Sequence, residues 1–192
     1  MTALLLVLLF FTGCGPGYST TAGSSGYTEL TVKRGIARFS FEYPSHYKIG
    51  KVEIRNDYHY IDMIVYGQSP GEEVHNPIID VFVNRTSASM PNIQGAIDAE
   101  LSVADNRPFF HFLERSPVKV TTDSIPGEKI IFSWASYPDI APTTEPIHYI
   151  SNSVFFEYGN LIWSIDMRSE INEAASDESV YNHILQTFRI LD

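Results

Sequence analysis

The stretch from residue 153 to 167 constrains the fold most. It reads S-V-F-F-E-Y, then Gly159-Asn160, then L-I-W-S-I-D-M. A Gly-Asn pair between two apolar runs signals a two-residue hairpin, because both central residues of the favoured turn need positive φ. The flanking runs are apolar at consecutive positions, not at alternate ones, so each strand needs cover on both faces. A chain holding such a hairpin folds as a sheet buried between other layers.

Further strands are predicted at residues 27–32, 37–43 (ended by Pro44), 52–54, 59–66, 78–83 and 130–134. Two helices are readable. Residues 91–104 carry Ile93, Ile97, Leu101 and Ala104 at helical spacing, with Pro91 near the start. Residues 176–188 carry Val180, Ile184 and Phe188, and Ser176, Asp177 and Glu178 suit a capped, acidic first turn. Residues 109–114 fit a weaker helical or extended piece, and 70–73 and 137–146 are loops. Strands, helix, strands, helix is not a βαβα alternation, so a parallel doubly wound sheet is excluded. The expectation is an α+β fold: an antiparallel β-sheet with helices packed on both faces, an α/β/α sandwich.

The N-terminus belongs to something other than the core. Residues 3–11 are nine consecutive apolar residues, within the ~7–15 of a secretion-signal core and far short of the ~20 needed to span a bilayer. Thr12-Gly13-Cys14 follows at once. A cysteine after a small residue at this place resembles the lipobox of bacterial lipoproteins, with Phe11 where Leu is usual and no basic residue before the apolar run. The resemblance implies cleavage before Cys14 and a diacylglyceryl group on its sulfur. Cys14 is the protein's only cysteine. Residues 15–26 (G-P-G-Y-S-T-T-A-G-S-S-G) have no hydrophobic period and read as a flexible tether. The expected organisation is a signal peptide at 1–13, a lipidated Cys14 with a tether to residue 26, and one domain at 27–192.

Composition limits the partners. The formal net charge is −10, and Lys33-Arg34 is the only basic pair. Such a surface is repelled by phosphate backbones and anionic lipid, which argues against nucleic acid and leaves the lipid on Cys14 as the means of membrane attachment.

No pattern carries catalysis. Ser, His and Asp are all present but no spacing favours a triad, and the chain has no H-E-x-x-H, no paired cysteines and no Gly-rich phosphate loop. Asp57 and His59, two apart on one strand, could share a metal, with His46 and His75 in reach; a solvated strand end explains them as well, and no metal or cofactor is expected. Tyr43, Tyr47, Tyr58, Tyr60 and Tyr66 cluster early in the chain. Exposed tyrosines suit sugar stacking or a protein interface; at the rim of a β-rich core they need no ligand. The acidic residues, among them Asp98, Glu100 and Asp177, read as solvated surface.

F-S-F-E-Y-P (residues 39–44), followed by an aromatic, resembles the opening of PsbP-like domains. The C-terminal Thr187-Phe188-Arg189-Ile190 matches the end of the same pattern, so the resemblance spans about residues 27–192. It implies the same sandwich around an antiparallel sheet, and bacterial members are often lipoproteins. The matching residues are core and turn residues, so photosystem function does not carry over. The functional expectation is a non-enzymatic lipoprotein, lipid-anchored on the extracytoplasmic side of the cell membrane, that binds or stabilises a protein partner; the alternative is a small-ligand or glycan binder using the tyrosines.

Overall fold

The computed structural model describes residues 17–55, 58–64, 78–88, 90–120, 124–137 and 145–191. Two sheets form, and every pairing is antiparallel. The small one has four strands in the order β1 (Tyr18–Ala22), β2 (Tyr27–Val32), β3 (Arg38–Pro44), β11 (Arg189–Leu191). The large one has seven, in the order β4 (Lys48–Ile54), β5 (Tyr58–Ile64), β6 (Ile78–Arg85), β10 (Leu161–Glu170), β9 (Ile147–Tyr158), β8 (Ile125–Ser136), β7 (His111–Val120).

The β9–β10 hairpin turns as its sequence requires. Gly159 has φ 62° and Asn160 φ 60°, and Tyr158 pairs with Leu161 across the turn. β10 is the middle strand of the large sheet, which explains its apolar residues on both faces. Leu161, Trp163, Ile165 and Met167 pack on one side, beneath the small sheet and helix α2 (Ala174–Thr187); Ile162 packs on the other, beneath helix α1 (Ile93–Ala104). The α+β sandwich is therefore as expected, with one refinement: α2 shares its face of the large sheet with a second sheet.

The residues that carry the PsbP-like resemblance are packing residues. Phe39 meets the edge of Trp163 with ring centroids 5.4 Å apart and stacks on Phe188 at 5.4 Å. Phe156 stacks on Trp163 at 5.6 Å. All four are almost fully buried. The Tyr181 hydroxyl donates to the Ile165 carbonyl at 2.6 Å, tying α2 to β10.

Two expectations need correction, and one choice between alternatives is decided. The tether is not free throughout: residues 18–22 pair with β2 from Tyr18–Val32 to Ala22–Thr28. Thr and Tyr favour strands, and an edge strand can stay polar on its solvent side, so a polar composition concealed it; Cys14 lies outside the described residues. Residues 111–114 are extended and open β7. Helix α2 starts at Ala174, so Ser176 lies inside its first turn and its Oγ donates to the Glu173 carbonyl at 2.7 Å instead of capping.

The register fixes which ends of the molecule are apart. Ile54 is level with His59, Val83, Trp163 and Phe156. Phe112 is level with Phe132, Ser151 and Arg168. Along β10 these levels, Trp163 and Arg168, are about 17 Å apart at ~3.4 Å per residue. The described chain enters at the first: a Cβ on Gly17 would stand 2.9 Å from Ile54 Cδ1.

Candidate functional site

The early tyrosines do not form one surface. Tyr43 and Tyr47 are core residues, each 6% exposed, and burial raises both hydroxyl pKa values. Tyr58 and Tyr60 are half-buried on β5. The Tyr58 hydroxyl bonds Glu53, with Arg55 5.3 Å from its ring centroid. Tyr60 donates to Asp80 Oδ1 at 3.0 Å and stacks on Phe82 at 4.5 Å. Tyr66 lies outside the described residues. The glycan-binding tyrosine face is thus divided between the core and the large sheet.

His59 is not a surface ligand. It is fully buried against Phe39. Its Nδ1 donates to the Tyr58 carbonyl at 2.9 Å, and its Nε2 accepts from the Ala37 amide at 3.3 Å. Burial lowers its pKa, so the ring is neutral and both nitrogens serve the backbone. Asp57 lies outside the described residues. Among the described residues no group of three or more His, Cys, Asp or Glu is placed to hold a metal.

Among the described residues, serine, carboxylate and imidazole meet around Glu42. Glu42 Oε2 accepts from Ser24 Oγ at 2.6 Å and lies 2.9 Å from His183 Nε2. The carboxylate stands between the other two. The imidazole therefore cannot take the serine proton, which nucleophilic catalysis requires. Hydrogen bonds from Ser24 lower the Glu42 pKa, with His183 adding to them, and the Tyr27 ring stacks on His183 at 3.7 Å. The group ties β2, β3 and α2 together.

A concave site lies between α1 and the outer face of the large sheet. Asn92 positions the helix: its Oδ1 accepts from the Gly95 amide at 2.9 Å, while Glu157 on β9 accepts from the Ile93 amide at 2.7 Å. Beneath the helix is a pocket of about 230 Å³. Phe82, Phe155 and Ile162 form apolar walls, and Glu100, Ser164 and Asp166 bring polar groups to it. Asp166 sits on the middle strand, level with Asp80 on the neighbouring β6 and then with Asp62 on β5 beyond it. Burial, reinforced by the charge of Glu100, pushes its pKa up to about 7. Burial likewise raises Glu100, against the pull of Arg107. Ser164 Oγ donates to Asp166 Oδ2 at 2.7 Å, while Oδ1 is buried and accepts no hydrogen bond. No histidine lines this pocket.

The sequence reading placed Glu100 and Asp177 on the solvated surface. Instead Glu100 lines the pocket, and Asp177 is 8% exposed in the first turn of α2. Asp166 is a further polar group of the pocket, and its signal in the sequence is that it is the one charged residue in the mostly apolar run at residues 161–167.

A second feature is convex. Phe109, Phe112, Leu113 and Tyr137 are 55%, 47%, 54% and 49% exposed at one end of β7 and β8. The rings of Phe109 and Tyr137 are 6.4 Å apart. Phe109 has φ 55°, an uncommon conformation for an aromatic residue.

No family model matches this chain, and no curated protein matches it by sequence. Similar solved structures include LpqN, involved in cell envelope biogenesis of Mycobacterium tuberculosis, at 10% identity, covering 86% of this chain and 92% of that one, with a TM-score of 0.54. They include the Saccharomyces cerevisiae Ran-binding protein MOG1P at 11% identity, covering 80% and 90%, TM-score 0.49. They also include cyanobacterial PsbP (CyanoP) from Synechocystis at 9% identity, covering 96% and 99%, TM-score 0.47. At 10% identity, the likeness to LpqN is one of fold alone.

Proposed function

We propose that this chain is a lipoprotein, lipid-anchored through Cys14 on the extracytoplasmic side of the cell membrane, whose non-catalytic domain binds or stabilises a protein partner. The observation that carries the reading is the apolar end formed by Phe109, Phe112, Leu113 and Tyr137. Single exposed apolar residues are ordinary on a protein surface, whereas a group of them, two beside each other on an edge strand, marks an interaction site. Strand addition is not the mode of docking. β7 carries an irregularity between Phe112 and Glu114, a proline at Pro117, and charges at Glu114, Arg115 and Lys119, which together blunt a sheet edge. The side chains at its end are left to make the contact. The net charge of −10 supports a protein over a nucleic acid. The fold shared with a cell-envelope protein is consistent with this placement. Among the described residues no helix is long and apolar enough to cross a membrane.

The test is mild detergent extraction of native membranes, capture through a C-terminal tag and mass spectrometry. The expected result is a stoichiometric partner with the unaltered chain, lost when Phe112 and Leu113 are both changed to Ser. Cys14→Ala is expected to move the protein from the membrane to the soluble fraction. A monodisperse monomer under every mild condition overturns the partner reading, and unchanged membrane fractionation of Cys14→Ala overturns the anchor.

A further inference from the structure

The pocket under α1 is independent of the apolar end and of any protein partner. We propose that it binds a small organic ammonium ion, with the apolar body against Phe82, Phe155 and Ile162 and the cationic head between Glu100 and Asp166.

The acidic groups here are not a solvated face. Glu100 comes down from α1, Asp166 comes up from the middle strand of the sheet, and both line the same cavity. Asp80 on β6 adds a third carboxyl level with Asp166. Like charges directly opposite one another on neighbouring strands destabilise a sheet, and nothing in the architecture requires an acid at this place. On the Asp166 face of β10 the neighbouring positions are Ser164 and Arg168, with Asp80 and Ser153 level with Asp166 on the flanking strands. Asp166 Oδ1 is shut off from water without a hydrogen bond, a condition that folded proteins rarely leave uncompensated. The Ser164 hydroxyl serves Oδ2, and the Ser153 hydroxyl also bonds the carboxyl. Arg107 acts on Glu100, whereas no cation is among the groups that act on Asp166.

The walls specify the rest of the ligand. A cavity of ~150 Å³ holds a benzene-sized body. At about 230 Å³ there is room for a ring, or a branched alkyl group, with a short arm. Phe82 is backed by Tyr60 at 4.5 Å, which holds its ring in place as one wall. Aromatic walls with few convergent polar groups are the usual make-up of a small-molecule site, and their faces also favour a cation. A metal ion fits less well, because the walls are apolar.

The probe is 2-phenylethylammonium, titrated calorimetrically into the folded chain beside the neutral 2-phenylethanol, which has nearly the same shape. The expected result is binding of the ammonium, with the alcohol weaker by about tenfold or more, since one desolvated charge pair is worth at least the ~1.4 kcal/mol that tenfold represents. Asp166→Asn is expected to reduce ammonium affinity by a similar factor. Ala99→Trp, a change on the pocket lining that leaves both acids in place, is expected to block both probes. Affinity should rise from pH 5.5 to pH 8 as Asp166 loses its proton. Equal affinity for the alcohol, no ammonium binding at millimolar concentration, or unchanged affinity in folded Asp166→Asn each overturns the proposal. None of these outcomes bears on the partner-binding end, which Phe112 and Leu113 report separately.

Discussion

Burying a carboxyl in an apolar sheet is expensive, and the cost at Asp166 can be read through pH. Its pKa, usual for a carboxyl in the unfolded chain, rises to about 7 on folding. The folded chain therefore holds this proton more tightly than the unfolded one. The sign follows: the contribution is fully present below the unfolded pKa near 4 and is lost as pH climbs toward 7. Glu100 from α1 and Asp80 from the neighbouring strand push in the same direction. Asp166→Asn cannot ionise, so it should be more stable than the unaltered chain at pH 8 and show little difference at pH 4. Urea unfolding at the two pH values checks this; a variant less stable at pH 8 contradicts the burial described. A second residue-scale expectation concerns Gly35. It has φ 103°, and a Cβ there would lie 2.1 Å from His59 Cε1. Gly35→Ala should cost more than about 1 kcal/mol in urea unfolding, through both strain and displacement of the buried ring.

At the scale of elements, the cap of α1 is the joint on which the pocket depends. Asn92→Ala removes the side-chain acceptor of the Gly95 amide and should cost about 1 kcal/mol, read as a lower urea midpoint. Elements with a strong local signal were legible in the sequence. The Gly159-Asn160 hairpin, β2, and the apolar spacing of α1 needed no distant information. Those that depend on tertiary partners were not. β1 is polar and owes its existence to pairing with β2. β7 is exposed along most of its length and reads as neither helix nor strand. The candidate site was legible only in fragments, because Glu100 and Asp166 are 66 positions apart in the chain and meet only when α1 crosses the sheet. Burial likewise reversed the roles of Tyr43, Tyr47 and His59: alternation put Tyr43 and His59 on strands without saying which face would be covered, and Tyr47 lies in the connection between β3 and β4.

For the molecule as a whole, the two candidate surfaces have different characters. One is a concave acidic pocket; the other is a convex apolar end at the opposite level from Gly17. The strand that forms within the tether can be tested directly. Hydrogen exchange should show alternate amides of Tyr18–Ala22 slowed by pairing with β2, whereas a free tether would exchange at the rate of an unstructured peptide throughout.

That strand also sets a height. If Cys14 carries the lipid, the covalent path from it to Tyr18 is at most about 15 Å, so the domain is berthed against the bilayer with the Ile54 level lowest. Phe112 lies about 17 Å from that level along the strands. The protein would work like a post, not a float. It would meet only partners whose own binding surface reaches that elevation, and lengthening the 15–17 segment should slacken that requirement without touching a single contact residue.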